Sequence, residues 1–405
     1  MRPGERGGPF AYGNFRLLFG ARTASLVGTA MAPVGLSFAV LAATGSTTDL
    51  GVVLAARIAP FAFFLLIGGV LADRLPRQLV MVAADTVCGV AQLATGVMVL
   101  AGSHSLPWLV ALQFLAGAAN AFFFPAAQGL LPHTVSAEVF PKAFAYMGLS
   151  RNFASIVGGA LGGFIAAVTS PGWTLVADAV TFAISAALTV GLRVPHLPPP
   201  PATMLGDLRE GWQEFRSRTW LWAIVAQFAV VVGFGRSAQL VLGPVIAKAH
   251  LGGPAAWGWI LSVNGAGSVV AAFLLVHRRR KISRPLLVAS IGILVDAGIL
   301  LALYDPLALG WLLLFSFLGG LGEALFGVMW ETTMAREIPP QALSRVSAYD
   351  AMGSFLLQPI GLAVMGPLVA VTGVHGGLLI GAAAVVVPTL AVMCVRDVFR
   401  RRDPI

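Results

Sequence analysis

The sequence predicts an all-α membrane protein: twelve transmembrane helices in two six-helix bundles, with both termini cytoplasmic. Three observations carry this. The 405-residue chain is 58% hydrophobic and 11% charged, whereas soluble domains carry about 25% charged residues. Its apolar runs reach the roughly 20 residues that a helix needs to cross hydrocarbon, and only helices or closed barrels satisfy their own backbone there. Its connectors alternate between very short turns and turns loaded with Arg.

The apolar windows fall at about 15–43, 50–71, 79–102, 107–131, 142–169, 172–192, 219–247, 256–277, 285–304, 308–334, 345–372 and 376–395. Segments two and three are joined by Gly69-Val70-Leu71-Ala72-Asp73-Arg74-Leu75-Pro76-Arg77, a tight charged turn. All 26 Lys and Arg fall at the termini or in the connectors after even-numbered segments, except Lys248 and the mid-segment Arg22, Arg57, Arg151 and Arg236. By the positive-inside rule those connectors and both termini are cytoplasmic. The net charge of +9 is therefore an orientation signal and an attraction to anionic lipid, and no nucleic acid is expected as a partner. Met1 to Gly13 is polar and the first apolar segment is too long for a signal-peptide core, so it is expected to remain. Cys88 and Cys394 have no metal-ligand spacing and read as free, buried small hydrophobes.

Three regions are expected: a six-helix bundle over 1–192, a cytoplasmic linker over 193–218 and a second six-helix bundle over 219–405. The linker carries Pro198-Pro199-Pro200-Pro201 and then Leu205, Leu208, Trp212 and Phe215 at i, i+3, i+7, i+10, an amphipathic helix for the membrane face. An offset of 203 residues superposes segment five on segment eleven. It matches Ala145, Tyr146, Gly158, Ala160, Gly163, Ala167, Val168 and Thr169 with Ala348, Tyr349, Gly361, Ala363, Gly366, Ala370, Val371 and Thr372. Parallel repeats of this kind place a substrate site near the midplane where the halves meet.

Arg22, Arg57, Asp85, Arg151, Asp178, Arg236, Asp296 and Glu323 lie well inside apolar segments, with Glu331 and Asp350 nearer the ends. Facing lipid, each would cost roughly 2.5–3.5 kcal/mol on insertion scales, so these groups must pair or meet water. Gln113, Gly117, Asn120, Phe124 and Gln128 form one stripe on segment four, echoed by Ser316, Gly320, Glu323, Gly327 and Trp330 on segment ten. Gly233, Arg236, Gln239 and Gly243 do the same on segment seven, and Arg22, Ser25, Thr29 and Pro33 on segment one. Asp85 and Asp178 read as helix-holding groups; Arg57 and Asp296 divide between structural pairing and function.

The chain resembles the major facilitator superfamily along nearly its whole length. Gly69 to Gln78 is similar to that family's signature between helices two and three, which implies a gating role for Gly69, Asp73, Arg74 and Arg77. Pro76 stands where the family usually has Gly, and Gln78 where it usually has a base. Asn14-Phe15-Arg16, Ala72-Asp73-Arg74, Asp178 and Leu208-Arg209-Glu210-Gly211-Trp212 resemble a bacterial exporter branch of macrolide-type drug efflux and catecholate siderophore export. Gly158-Gly159-Ala160-Leu161-Gly162-Gly163 is similar to an element of drug/proton antiporters, with Gly159 replacing its Pro, and Gln113 occupies the place of that pattern's buried Arg.

The resemblance implies that helices one, four, seven and ten line a cavity. The expected cavity residues are Arg22, Gln113, Asn120, Phe124, Gln239 and Trp330, and Glu323, Arg236, Arg151 and Asp296 are expected to couple protons, with Glu323 the protonation site. Gly158, Gly159, Gly162 and Gly163 are expected to pack helices. The function implied is export of an amphiphilic small molecule (drug, antibiotic or secondary metabolite) by alternating access and proton antiport, by a monomer in a bacterial cytoplasmic membrane. The alternatives are siderophore export, or uptake of an organic anion or nutrient through Arg22, Arg151 and Arg236. No nucleophile elbow, HExxH zinc motif or phosphate loop is present, so neither enzyme activity nor a cofactor is expected.

Overall fold

The computed structural model describes residues 8–103, 105–194, 211–277, 282, 284–305 and 308–399, and within these the side chains of 62, 65–74, 276, 340, 341, 344 and 399 lie outside the description. The described residues form helices and turns, with no strand among them. The helices are α1 (Gly13–Ala43), α2 (Thr47–Arg74), α3 (Arg77–Leu100), α4 (Leu106–Leu130), α5 (Phe140–Val168) and α6 (Pro171–Val190). After a short helical turn over 211–216 come α7 (Thr219–His250), α8 (Pro254–His277), α9 (Pro285–Tyr304) and α10 (Leu309–Glu337). The chain continues through α11 (Pro340–Phe355), α12 (Gln358–Met393) and the one-turn α13 (Arg396–Phe399).

Ten stretches among the described residues are long and apolar enough to cross a membrane. The 28-residue α2 is additional to these. The stretch Arg345–Met393 counts once, although α12 is broken at Gly373, whose φ of 72° and ψ of 171° no helical residue adopts. Helix ends match the apolar windows to within a few residues, except in the eleventh window, 345–372, where α11 starts at Pro340 and ends at Phe355 and α12 begins at Gln358. The turn Pro340–Arg345 is polar, so hydropathy misses it, but Pro at the first helical position starts the helix there. Cys88 is buried as expected; Cys394, at the C-cap of α12, is exposed, because it stands past the last apolar turn.

The chain divides into two compact units, Met1–Pro200 with Gly252–Ser262, and Pro201–Leu251 with Val263–Ile405. Within each, helices meet where a glycine removes the side chain. In lipid there is no hydrophobic force between helices, so close van der Waals approach supplies the attraction. A Cβ on Gly158 would stand 2.7 Å from the Val27 carbonyl oxygen of α1, and one on Gly361 would stand 1.5 Å from the Gly233 carbonyl oxygen of α7. These two glycines are 203 residues apart, and each seats its helix on the first helix of its own unit. Gly162 also meets α1, at Met31, while Gly159 and Gly163 face Ser262 and Gly258 at the start of α8.

The repeat-related tyrosines behave alike. Tyr146 receives Phe10 edge-on at 5.1 Å, and Tyr349 receives Trp212 at 5.5 Å and Phe215 at 6.0 Å. The 211–216 turn thus docks its aromatic side on α11. Leu205 and Leu208, expected on the same amphipathic helix, lie outside the described residues. Arg218 holds the turn from below, ion-paired with Glu214 and donating to the Glu337 carbonyl oxygen at 2.6 Å.

Candidate functional site

Two polar centres form inside the two units. In the second, α7 is locally unwound. Val231–Arg236 is a π turn, and such a turn inserts a residue into the helix and is often found at functional sites. Gly233 and Gly235 leave room for neighbouring chain, since a Cβ on them would stand 2.8 Å from Leu357 Cβ and 2.6 Å from Val385 Cγ2, and the Ser237 hydroxyl donates five residues back to the Val232 carbonyl oxygen at 3.5 Å. The π turn delivers Arg236, which donates to Glu323 Oε1 of α10 in an ion pair. A second interruption lies in α9 between Leu294 and Asp296. It brings Asp296 within electrostatic reach of both partners, and its Oδ1 rests where a Cβ on Gly319 would be, at 2.8 Å.

Arg236, Asp296 and Glu323 open on a cavity of about 360 Å³ whose polar lining is completed by Gln239 and Gln358. Its apolar wall is Phe228, Phe326 and Phe355; the first two rings stack at 4.9 Å and 2°, and Phe355 stands edge-on to Phe228 at 6.4 Å. Trp330 stacks on Phe326 at 6.1 Å and donates its indole N–H to Asp350 Oδ2 at 3.0 Å, so it supports the wall and is absent from the cavity lining. Two carboxyl groups face one guanidinium. If both acids were ionised the cluster would carry a surplus negative charge in a low dielectric, which a proton or a bound cation must offset.

In the first unit, α3 and α6 run antiparallel as a polar ladder. Ser185 donates to Asp85 Oδ2 at 2.6 Å, and one rung along Gln92 donates to Asp178 Oδ2 at 2.5 Å. Gln113 of α4 joins the ladder, donating to Gln92 Oε1 at 2.9 Å and to Thr95 Oγ1 at 3.2 Å while accepting from Arg57 at 2.9 Å. Arg57 and Asp178 are thus linked through two amides. Gln113, expected on the cavity stripe, is 0% exposed inside this network, because α2 and α4 approach so closely at Gly117 that a Cβ there would stand 2.0 Å from the Arg57 carbonyl oxygen.

Replacing Gln113 with Leu takes away the acceptor of Arg57 and the donor to Gln92 Oε1, and each stranded buried polar group costs about 1–3 kcal/mol. The Gln113→Leu protein is expected to show a clearly lowered unfolding midpoint in detergent.

The remaining expected residues scatter. Arg22 is 8% exposed, with its guanidinium 5.9 Å over the Phe123 ring. Phe124, expected to contact substrate, is 39% exposed and meets Phe61 edge-on at 6.1 Å, since neighbouring residues on a helix point about 100° apart. Asn120 is half-buried and Arg151 exposed. Arg151 is in the first unit and Glu323 in the second, and Arg236 takes the role of partner to Glu323. Of the turn after α2, the side chains of Gly69, Asp73 and Arg74 lie outside the described residues. Arg77 donates to the Gly129 carbonyl oxygen at the end of α4. Gln78 donates to the Thr189 and Val190 carbonyl oxygens at 3.0 and 2.9 Å, capping α6.

Sequence reasoning passed over Gln92, Thr95, Ser185 and Gln358. The signal existed for α3, where Asp85, Cys88, Gln92 and Thr95 fall at i, i+3, i+7, i+10 on one face. The π turn had none beyond two glycines.

A family model described as "Transmembrane secretion effector" matches residues 7–310. Among known proteins, the enterobactin exporter EntS of Escherichia coli O81 (strain ED1a) is 28% identical over 384 residues, covering 90% of this chain and 89% of the relative. EntS of Shigella boydii serotype 18 (strain CDC 3083-94 / BS512) aligns equally. A crystal structure of the peptide transporter POT in complex with sulfate superposes with a TM-score of 0.75 at 14% identity, covering 99% of this chain and 98% of the other. At that identity the likeness shows the fold alone. Since the family model covers more than half of the sequence, the chain belongs to the transmembrane secretion effector family of the major facilitator superfamily, and is a multi-pass secondary transporter, not an enzyme.

Proposed function

We propose that the chain exports an amphiphilic small molecule across a bacterial cytoplasmic membrane by alternating access, driven by proton antiport. In this reading the protein is a monomer that crosses the bilayer twelve times with both termini cytoplasmic, as bundles 1–192 and 219–405 joined by the linker 193–218. The observation that carries the coupling is the cluster of one base with two acids, Arg236 with Glu323 and Asp296, opening on a cavity. A group that alternates between an ion pair and a protonated state is what antiport requires, and the cavity gives both water and cargo a route to it. Gly69, Asp73, Arg74 and Arg77 serve as the gate, a role supported at Arg77 by its hold on the end of α4. Gln239 and the stacked Phe228 and Phe326 offer an adaptable wall with a few orienting groups, the usual make-up of a small-molecule site.

A siderophore cargo is favoured by the similarity to enterobactin exporters over 90% of the chain. The two cargoes separate in one host. In Escherichia coli lacking its own drug pumps and its enterobactin exporter, drug export predicts lowered ethidium accumulation that a protonophore restores. Siderophore export predicts recovery of enterobactin in the medium. Neither effect, with the protein present in the membrane, would overturn both.

A further inference from the structure

We propose that Arg22 and Arg151 form a binding site for an anionic group of the cargo, an oxyanion carried on an aromatic ring. This rests on the transport reading only in taking the ligand to be what is carried.

Arg22 is the central observation. Its side chain is more than nine-tenths buried, yet among the described residues it makes no hydrogen bond and no ion pair; its one partner is the face of Phe123. A guanidinium carries five donors and is never deprotonated in a protein. Left buried without an acceptor it is strongly destabilising, which is why buried charges are otherwise paired. Arg151 also lacks a hydrogen bond or ion pair among the described residues, and it lies close enough to Arg22 for their like charges to act on each other. α1 and α5 meet at the level of the two arginines, where the hydroxyls of their chain neighbours Thr23 and Ser150 share a hydrogen bond of 2.7 Å. Arg151 is exposed and Arg22 buried; two like charges within electrostatic reach repel, and folding alone gives no reason to keep them there.

The one acid within electrostatic reach of Arg22 is Asp85, which does not close the pair. Its Oδ2 accepts from Ser185, and its Oδ1 has no partner. Arg22, Arg151 and Asp85 therefore leave a surplus of positive charge even with the acid ionised. A lipid phosphate does not fit the depth. Arg151 stands 11 residues beyond Phe140, the start of α5, or about 16 Å along the axis, well inside a hydrocarbon layer about 30 Å thick. The forked geometry of two guanidiniums suits a planar pair of oxygens, as in a carboxylate or catecholate. Phe123, over which Arg22 lies, and Met147, one turn before Arg151, belong to the same apolar cluster, which suits the ring that bears them.

The test is binding of radiolabelled salicylate and its neutral analogue salicylamide to the purified full chain in nanodiscs, with no proton gradient, so that the outcome is independent of how export is driven. Saturable salicylate binding is expected, with salicylamide at least about tenfold weaker, the scale of one charge-assisted hydrogen bond. Arg22→Gln and Arg151→Gln should each weaken salicylate by about tenfold or more and leave salicylamide unchanged. Arg22→Lys, which keeps the charge and loses the fork, should fall between. No saturable salicylate binding, equal affinity for the two probes, or full salicylate affinity in a monodisperse Arg22→Gln protein overturns the assignment.

Discussion

Glu323→Gln is expected to reduce proton-driven export to the level of empty vesicles while leaving substrate exchange between equal concentrations intact. The amide keeps the size of the side chain and a hydrogen-bond acceptor for Arg236, so the cavity wall is preserved. What disappears is the second acid. Arg236 then faces Asp296 alone, one base against one acid, and such a pair has no cause to take up and release a proton in each cycle. The measurement is substrate-dependent proton release from proteoliposomes under an imposed pH gradient, with counterflow as the control for folding. Proton release at the wild-type rate from the Glu323→Gln protein would falsify the coupling role. Loss of both activities together would instead mark Glu323 as a structural prop for Arg236.

Gly361→Ala carries the second large effect, and it is one of assembly. The added methyl group would stand 1.5 Å from the carbonyl oxygen of Gly233, and 2.5 Å from its carbon. Backbone cannot move aside as a flexible side chain can, so α7 and α12 must separate. Overpacking of this kind costs typically about 1–3 kcal/mol, and more where backbone blocks the site. The Gly361→Ala protein should show lower yield in the membrane and a depressed unfolding midpoint in detergent. Gly327→Ala, whose Cβ would meet nothing within 4 Å, serves as the control and should be neutral. Because Gly233 belongs to the π turn, the substitution also disturbs the turn that delivers Arg236, so residual folded protein should transport poorly.

The helices were legible because a bilayer leaves few options: about 20 apolar residues in a row must form a helix, and the sequence spells this out from Gly13 to Met393. The repeat was legible too, in residues such as Gly158 and Gly361, whose roles turn on the absence of a side chain. The pairing of Arg236 with Glu323 was foreseeable from the spacing of polar groups on α7 and α10. Harder to read was which buried polar groups belong together. Gln113 looks like a cavity residue because it shares a stripe with Asn120, and nothing in the spacing says that α2 presses on that stripe at Gly117 and sends Arg57 across. Phe123 and Phe124 show the same limit: one residue of helical rotation decides which of them lies under Arg22. Helix irregularities are the least visible, since Val231–Arg236 and the break before Asp296 have ordinary apolar sequences around them.

The extra residue held in the π turn has a mechanical corollary. If that stretch of α7 were rewound into regular α geometry, every side chain beyond it would swing about 100° around the axis. Arg236 sits at the end of the turn, so its grip on Glu323 and the winding of the helix are tied to each other. A rotation of that kind would carry Gln239, which lines the same cavity, past the aromatic wall of Phe228 and Phe326.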